Sequence, residues 1–287
     1  MDNSWRKIIV KENGSVLLIV MMIITVVLAV ALSRNEKLLT YYNQLTALQD
    51  NQQGYIYCVS ALKGVIILLK HDSKGYNYSG DQWAMLPILP IENGKIQITV
   101  IPLESKISLI GLSSSNNAVS ERTKRAIDNL IPDFNNISQM NTAIIGDFYS
   151  IEALQYGGFK DIKRKGINSL TVEDTGGKIN INFAEKDVLQ AYLPELDADE
   201  IISYRDKKPF KEISQIRNVP GISDSGYLAI QPYITVNSVV FYVYVEAVIK
   251  DKKTSVSAIL KKGKTGNIEI NKYFEKVNER YMNNMEK

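Results

Sequence analysis

Hydrophobic and polar positions divide the chain into stretches of different period. Residues 15–32 carry no charge and are nearly all Leu, Ile, Val, Met or Ala, eighteen in succession. As a helix they rise roughly 27 Å, close to the hydrocarbon thickness of a bilayer. The helical pattern runs on through KLLTYYNQLTALQDNQQGYIYCVSALKGVIILLK, with no proline before Pro87. One long helix is expected, its first half suited to lipid and its second half amphipathic against a folded domain. Period two then takes over. Asn93-Gly94 is a hairpin signal beside KIQITVI, so strands are predicted at 86–91 and 95–102, with a third at 106–109. VVFYVYVEAVIKDKKTSVSAILKK, rich in β-branched and aromatic residues, predicts a second hairpin turning at 250–253. Between the hairpins, about 112–231 is polar and reads as helix. Strands, helices, then strands imply an α+β fold: one antiparallel sheet interrupted by a helical insertion. After Gly263, Ile270, Phe274, Val277 and Tyr281 recur at helical spacing, so the polar tail 264–287 is expected to form a short amphipathic helix.

Charge places the apolar run in a membrane. Arg6, Lys7 and Lys11 precede it, and it ends in ALSRNEK rather than in a small-residue cleavage site. The N-terminus is therefore expected in the cytoplasm and the bulk of the chain across the membrane, on a single pass. In 287 residues, Lys plus Arg number 34 against 31 Asp plus Glu, a net +3 that offers no electrostatic case for a polyanion receptor. The lone Cys58 rules out an intrachain disulfide and reads as a core or helix-interface residue; the lone His71 sits at a helix end and builds no zinc site. Asp128, Asp133 and Asp147 are too dispersed for a calcium loop. No nucleophile, base and orienting group occur together, so no enzyme, cofactor or metal site is read.

One glycine changes the meaning of the anchor. The charged leader 1–14, Gly14 at its end and the uncharged stretch beginning SVLLI resemble the start of type IV pilins and type II secretion pseudopilins. The resemblance implies that prepilin peptidase cuts between Gly14 and Ser15, that the new N-terminus is methylated, and that the apolar helix stays as anchor and filament joint. Most members carry a glutamate five residues after the cut; here Ile19 stands there. A carboxylate buried in a greasy filament without a partner costs several kcal/mol, so Ile19 fits a subunit with none ahead of it.

The insertion holds the remaining signal. NVPGISDSGYLAI, with Pro220, Gly221 and Ile222 at its turn, has the outline of a DNA-binding helix-hairpin-helix, and LPELDADEII reads as a worn first copy. Glu195, Asp197, Asp199 and Glu200 crowd the first turn; Ser223 replaces the second glycine of the other, and Asp224 follows. Carboxylates where a phosphate would arrive oppose DNA, leaving the hairpins as packing modules. Ile179, Ile181 and Phe183 alternate as a strand; Asn180 and Asn182 suit bonding to local backbone at a strand end or capping a helix. Arg205, Asp206, Lys207 and Lys208 read as a solvated charged turn before Pro209, with Phe210 filling a gap between hairpins.

In order, DQWAMLPILPIENGKIQITV, GGKININFAEKDVL, ISYRDKKPFKEISQIRNVPGI and YITVNSVVFYVYVEAVI are similar to the K component of type II secretion pseudopili, across nearly the whole chain from Ser15 to about Lys262. That resemblance implies a pilin-type sheet with a helical insertion, divided as leader 1–14, transmembrane helix 15–33, rest of the long helix and first strands 34–111, insertion 112–231, closing strands 232–263 and tail 264–287. It implies a minor pseudopilin that starts and caps the filament, with the I, J and H minor pseudopilins, the major pseudopilin, prepilin peptidase and the assembly platform as partners, and the secretin or exported substrate as further contacts. A minor tip pilin of a type IV pilus is the near alternative. A membrane-tethered helix-hairpin-helix DNA receptor is the distant one.

Overall fold

A computed structural model describes the backbone of residues 4–131, 166 and 168–277, and the side chains of 15–131, 166 and 168–275. The chain divides into two units, Met1–Gln53 and Gly54–Lys287. Helix α1 spans Ser4–His71 and closes with Lys70, a cation where unpaired carbonyls accumulate, and His71. His71 Nδ1 lies 2.8 Å from the Ile67 carbonyl oxygen.

In the second unit, α1 presents Cys58, Leu62, Val65 and Leu69 to the sheet, all 3% exposed or less. Burying each of the aliphatic three is worth about 1.5–3 kcal/mol. They meet Phe241, Val243, Val245 and Ala247 of one strand and Val256, Ala258 and Leu260 of the next. The helix crosses the sheet closely at Gly54, where an added Cβ would stand 2.9 Å from Thr254 Oγ1. Trp83 closes the end of this core, stacked on Phe183 at 5.5 Å and edge-on to Phe241 at 5.2 Å, its Nε1 donating to Asp72 Oδ2.

The sheet is antiparallel. Strands β1 (Leu89–Ile91) and β2 (Gly94–Pro102) form the first hairpin. Two short parallel pairs follow: β3 (Ile107–Ser108) with β4 (Leu170–Thr171), and β5 (Ile179–Asn180) with β6 (Ile234–Thr235). Then come β7 (Val240–Ile249), β8 (Lys252–Lys262) and β9 (Ile268–Val277). The main sheet has the order β1-β2-β7-β8-β9. Thus β2 and β7 are neighbours in space, and the whole insertion lies in the connection between them.

Both predicted hairpins form. The first turn is Glu92-Asn93, with Ile91 opposite Gly94 and Asn93 left-handed at φ 59°. Gly94 serves closeness instead: a Cβ there would stand 1.9 Å from the Val248 carbonyl oxygen. The second turn is Lys250-Asp251, and the Lys250 amide donates to Asn93 O at 2.8 Å. The strand expected at 106–109 shrinks to β3 and pairs outside the main sheet. The tail is not a helix as far as Val277. Gly263 and Gly266, the latter at φ 80°, turn the chain back, and β9 covers the edge of β8. An open edge next to a buried strand outweighs a weak helical period, because its backbone groups need partners. Tyr281 lies outside the described residues.

The insertion begins with helix α2 (Asn117–Leu130), capped by Asn116 accepting from the Ala118 amide. Helices α3 (Lys186–Tyr192) and α4 (Ala198–Lys207) form one hairpin. A 3-10 segment, Ile213–Asn218, and α5 (Asp224–Ile230) form the other. Their core includes Ile127, Val188, Leu189, Tyr192, Ile201, Phe210, Ile216 and Ile230.

Candidate assembly helix and hairpin module

Along residues 16–32 every large apolar side chain is exposed, from Val20 at 45% to Leu18 at 70%. Ser15 is exposed and Ile19 is 55% exposed; Gly14 falls within α1. The one polar side chain inside the run is Thr25, whose hydroxyl donates back to Met21 O and Met22 O at 3.1 and 2.8 Å, so it carries no unsatisfied donor into lipid. Among the described residues this is the one helix long and apolar enough to cross a membrane. Leu38, Tyr41, Tyr42, Leu45 and Leu48 continue as exposed apolar positions.

The hairpins turn their charges on themselves. Asp197 caps α4 by accepting from the Asp199 amide at 2.9 Å, and Lys186 pairs with Asp199 at 2.6 Å. Glu195, at the first turn, receives both terminal nitrogens of Arg122 of α2, at 2.6 and 3.0 Å, a two-pronged contact. Arg122 Nη1 also donates to Tyr192 O, and its guanidinium lies 4.2 Å from the centre of the Tyr233 ring. Burial alone raises the Glu195 carboxyl; the hydrogen bonds and charge of Arg122 outweigh it and hold the group below its ordinary range. At the second turn Gly221 sits at φ 82°, a left-handed position that suits glycine, between Pro220 and Ile222. Ser223 caps α5 by accepting from Gly226, while Arg217 lies 4.1 Å from the Tyr227 ring centre and 3.4 Å from Asp224. One carboxylate at each turn, Glu195 and Asp224, is thus paired with an arginine of the same chain.

A buried polar hub, missed in the residue pattern, ties insertion to sheet. Asn182 Nδ2 donates to Asn77 O and Phe210 O at 2.9 and 2.8 Å, and its Oδ1 accepts from the Phe210 amide at 2.9 Å. Asn180 Nδ2 donates to Ser238 Oγ, and the Ser238 amide donates to Asn77 Oδ1. Asn180 also makes the expected local bond, to the Asn182 amide. Beyond that local bond, both asparagines work across the fold. The reading of Arg205 is corrected. It belongs to the last turn of α4, and its Nη1 donates to Ile181 O and Ala184 O at 2.8 and 2.7 Å. Burial lowers its pKa below the ordinary guanidinium range. Phe210 is fully buried and stacked on Tyr204 at 4.8 Å, as the gap-filling reading requires. GGKININF and ISYRDKKPF are thus two halves of one joint. Its signal was weak, because polar residues beside strands usually bond locally.

Cys58 is fully buried with Sγ 3.4 Å from Thr254 O, and burial pushes its thiol up to about 11. Among the described residues no three His, Cys, Asp or Glu side chains gather as a metal site. Asp128 lies on α2; Asp133 and Asp147 lie outside the described residues.

Against known proteins, a family model for the helix-hairpin-helix motif matches residues 174–235. By sequence, no curated protein matches the chain. By structure, it is similar to a chain of the GspK-GspI-GspJ complex from the enterotoxigenic Escherichia coli type 2 secretion system. The TM-score is 0.58 at 13% identity, over 82% of this chain and 100% of that one. Over the 82% of this chain that is covered, the fold is therefore one already seen in a chain of that type 2 secretion complex.

Proposed function

We propose that this chain is a minor pseudopilin of a type II secretion machine, a non-enzymatic subunit that helps to start and cap a short filament. The observation that carries the reading is a fold shared with a chain of the GspK-GspI-GspJ complex over that chain's whole length. The uncovered apolar rod of residues 16–32 supports it. In this reading the rod first holds the subunit in the inner membrane, N-terminus cytoplasmic. After cleavage between Gly14 and Ser15 it packs against the rods of I-, J- and H-type minor pseudopilins and the major pseudopilin as they leave the bilayer. Ile19 brings no carboxylate that a further subunit would have to satisfy. The insertion between β2 and β7 blocks addition ahead of it and faces the substrate or secretin. Co-expression with prepilin peptidase should shorten the chain by its first fourteen residues, read by intact mass, and Gly14→Val should abolish the shift. A full-length chain in both cases refutes the reading.

The match to the helix-hairpin-helix motif favours a second reading, a tethered DNA receptor. Glu195, Asp197 and Asp224 at the two turns oppose it, and the neighbouring cations Arg122 and Arg217 are already engaged by Glu195 and Asp224. Tight, strongly salt-dependent retention of duplex DNA would restore it.

A further inference from the structure

Strand β9 is fastened differently from its neighbour. Most of β8 is buried, with consecutive residues Thr254, Ser255 and Val256 and then Ala258, Ile259 and Leu260 covered, so both of its faces are shielded. No described side chain of β9 is buried; Ile270 is 52% exposed and Tyr273 37%. Of its apolar side chains Ile268 and Phe274 are half-buried, Ile268 against the core under α1, so apolar burial holds β9 less than it holds β8 and polar contacts add to the ladder.

Two clamps supply them. Glu173, only 7% exposed, comes from the insertion. Lys272 Nζ lies 2.7 Å from its Oε1, and Asn271 Nδ2 donates to its Oε2 at 3.3 Å. The register shifts here: Ile259 pairs with Lys272 and Leu260 with Ile270, leaving Asn271 as an extra residue. That bulge lets two adjacent side chains reach one carboxylate. The second clamp is exposed: Tyr55 donates to Glu275 Oε1 at 2.7 Å, and Tyr273 donates to the Tyr55 oxygen at 3.2 Å. A charge-assisted contact shielded from water carries more weight than an exposed one.

We propose that β9 is a releasable strap: it opens from the edge of β8 as one unit, and the Glu173 clamp sets how often. The turn at Gly263 and Gly266 serves as its hinge. Opening bares a backbone edge on a strand whose two faces are already covered.

Hydrogen exchange on the full chain in detergent micelles tests this. Amides of β9, and those of β8 that donate to it, should exchange through one shared opening, at least about tenfold more frequent than that of the β2–β7 ladder. Glu173→Gln should make that opening about tenfold or more frequent, Lys272→Met should match it, and the double variant should add little. The β2–β7 amides should be unchanged. Exchange of β9 together with the β2–β7 ladder in a single global event overturns the proposal. So do variants that leave β9 unchanged or that loosen the whole sheet equally.

Discussion

Replacing Asn182 by alanine removes the centre of the joint between insertion and sheet. The amide group makes three hydrogen bonds, to Asn77 O, Phe210 O and the Phe210 amide, at 2.8–2.9 Å, in a residue 6% exposed. Alanine leaves one buried backbone donor and two carbonyls without that partner. Each such loss costs about 1–3 kcal/mol, so the sum is roughly 3–9 kcal/mol, the lower part of that range applying if water enters. Against a typical domain stability of about 5–15 kcal/mol this is severe. The assay is urea unfolding of the full chain in detergent, followed by the fluorescence of Trp83, which is 2% exposed and packed on Phe183 and Phe241. A Trp5→Phe background isolates that signal. Asn218→Ala, which removes one exposed 3.5 Å bond to the Tyr204 hydroxyl, is the control and should cost about 0.5 kcal/mol or less. A loss below about 1 kcal/mol for Asn182→Ala would refute the hub as a determinant of stability.

Further outcomes follow from the same geometry. Gly94→Ala drives a methyl into the Val248 carbonyl and should cost about 3 kcal/mol or more, whereas Gly64→Ala, with nothing within 4 Å in a helix interior, should gain up to about 1 kcal/mol; thermal melts separate the two. Cys58 should react with a maleimide only as fast as the second unit unfolds, because its thiol is fully buried and raised to about 11; reaction within minutes in native buffer would contradict this. Burial raises the Glu104 carboxyl above its ordinary 4.5, although the Val239 and Val240 amides partly counter the shift. A raised folded pKa means that its contribution to stability is present below about 4.5 and is lost as pH rises through the folded value. Glu104→Gln should therefore gain on the parent with increasing pH, and parallel stability curves between pH 4.5 and 7 would count against it.

The long helix, the two hairpins and the insertion were legible because each rests on local periodicity: an uncharged run in residues 15–32, alternation in β2, β7 and β8, and turn residues at Asn93 and Lys250. Sequence reading failed where a residue answers to a distant partner. Ile270 and Phe274 suit a helix as well as a strand, and only the open edge of β8 selects the strand. Arg205 looks like a solvated turn until α4 is extended to Lys207 and Ile181 and Ala184 present their carbonyls.

Hydrophobic period and charge thus suffice to specify a membrane-length rod, a sheet that helices interrupt, and hairpin turns rich in carboxylates, since these depend on neighbours a few residues away. Which asparagines become buried joints, which arginine neutralises Glu195, and what covers the sheet's last edge depend on groups tens to more than a hundred residues apart in the chain. Such groups acquire a common, water-poor environment only when the chain folds, and a hydrogen bond or ion pair gains its strength from that environment.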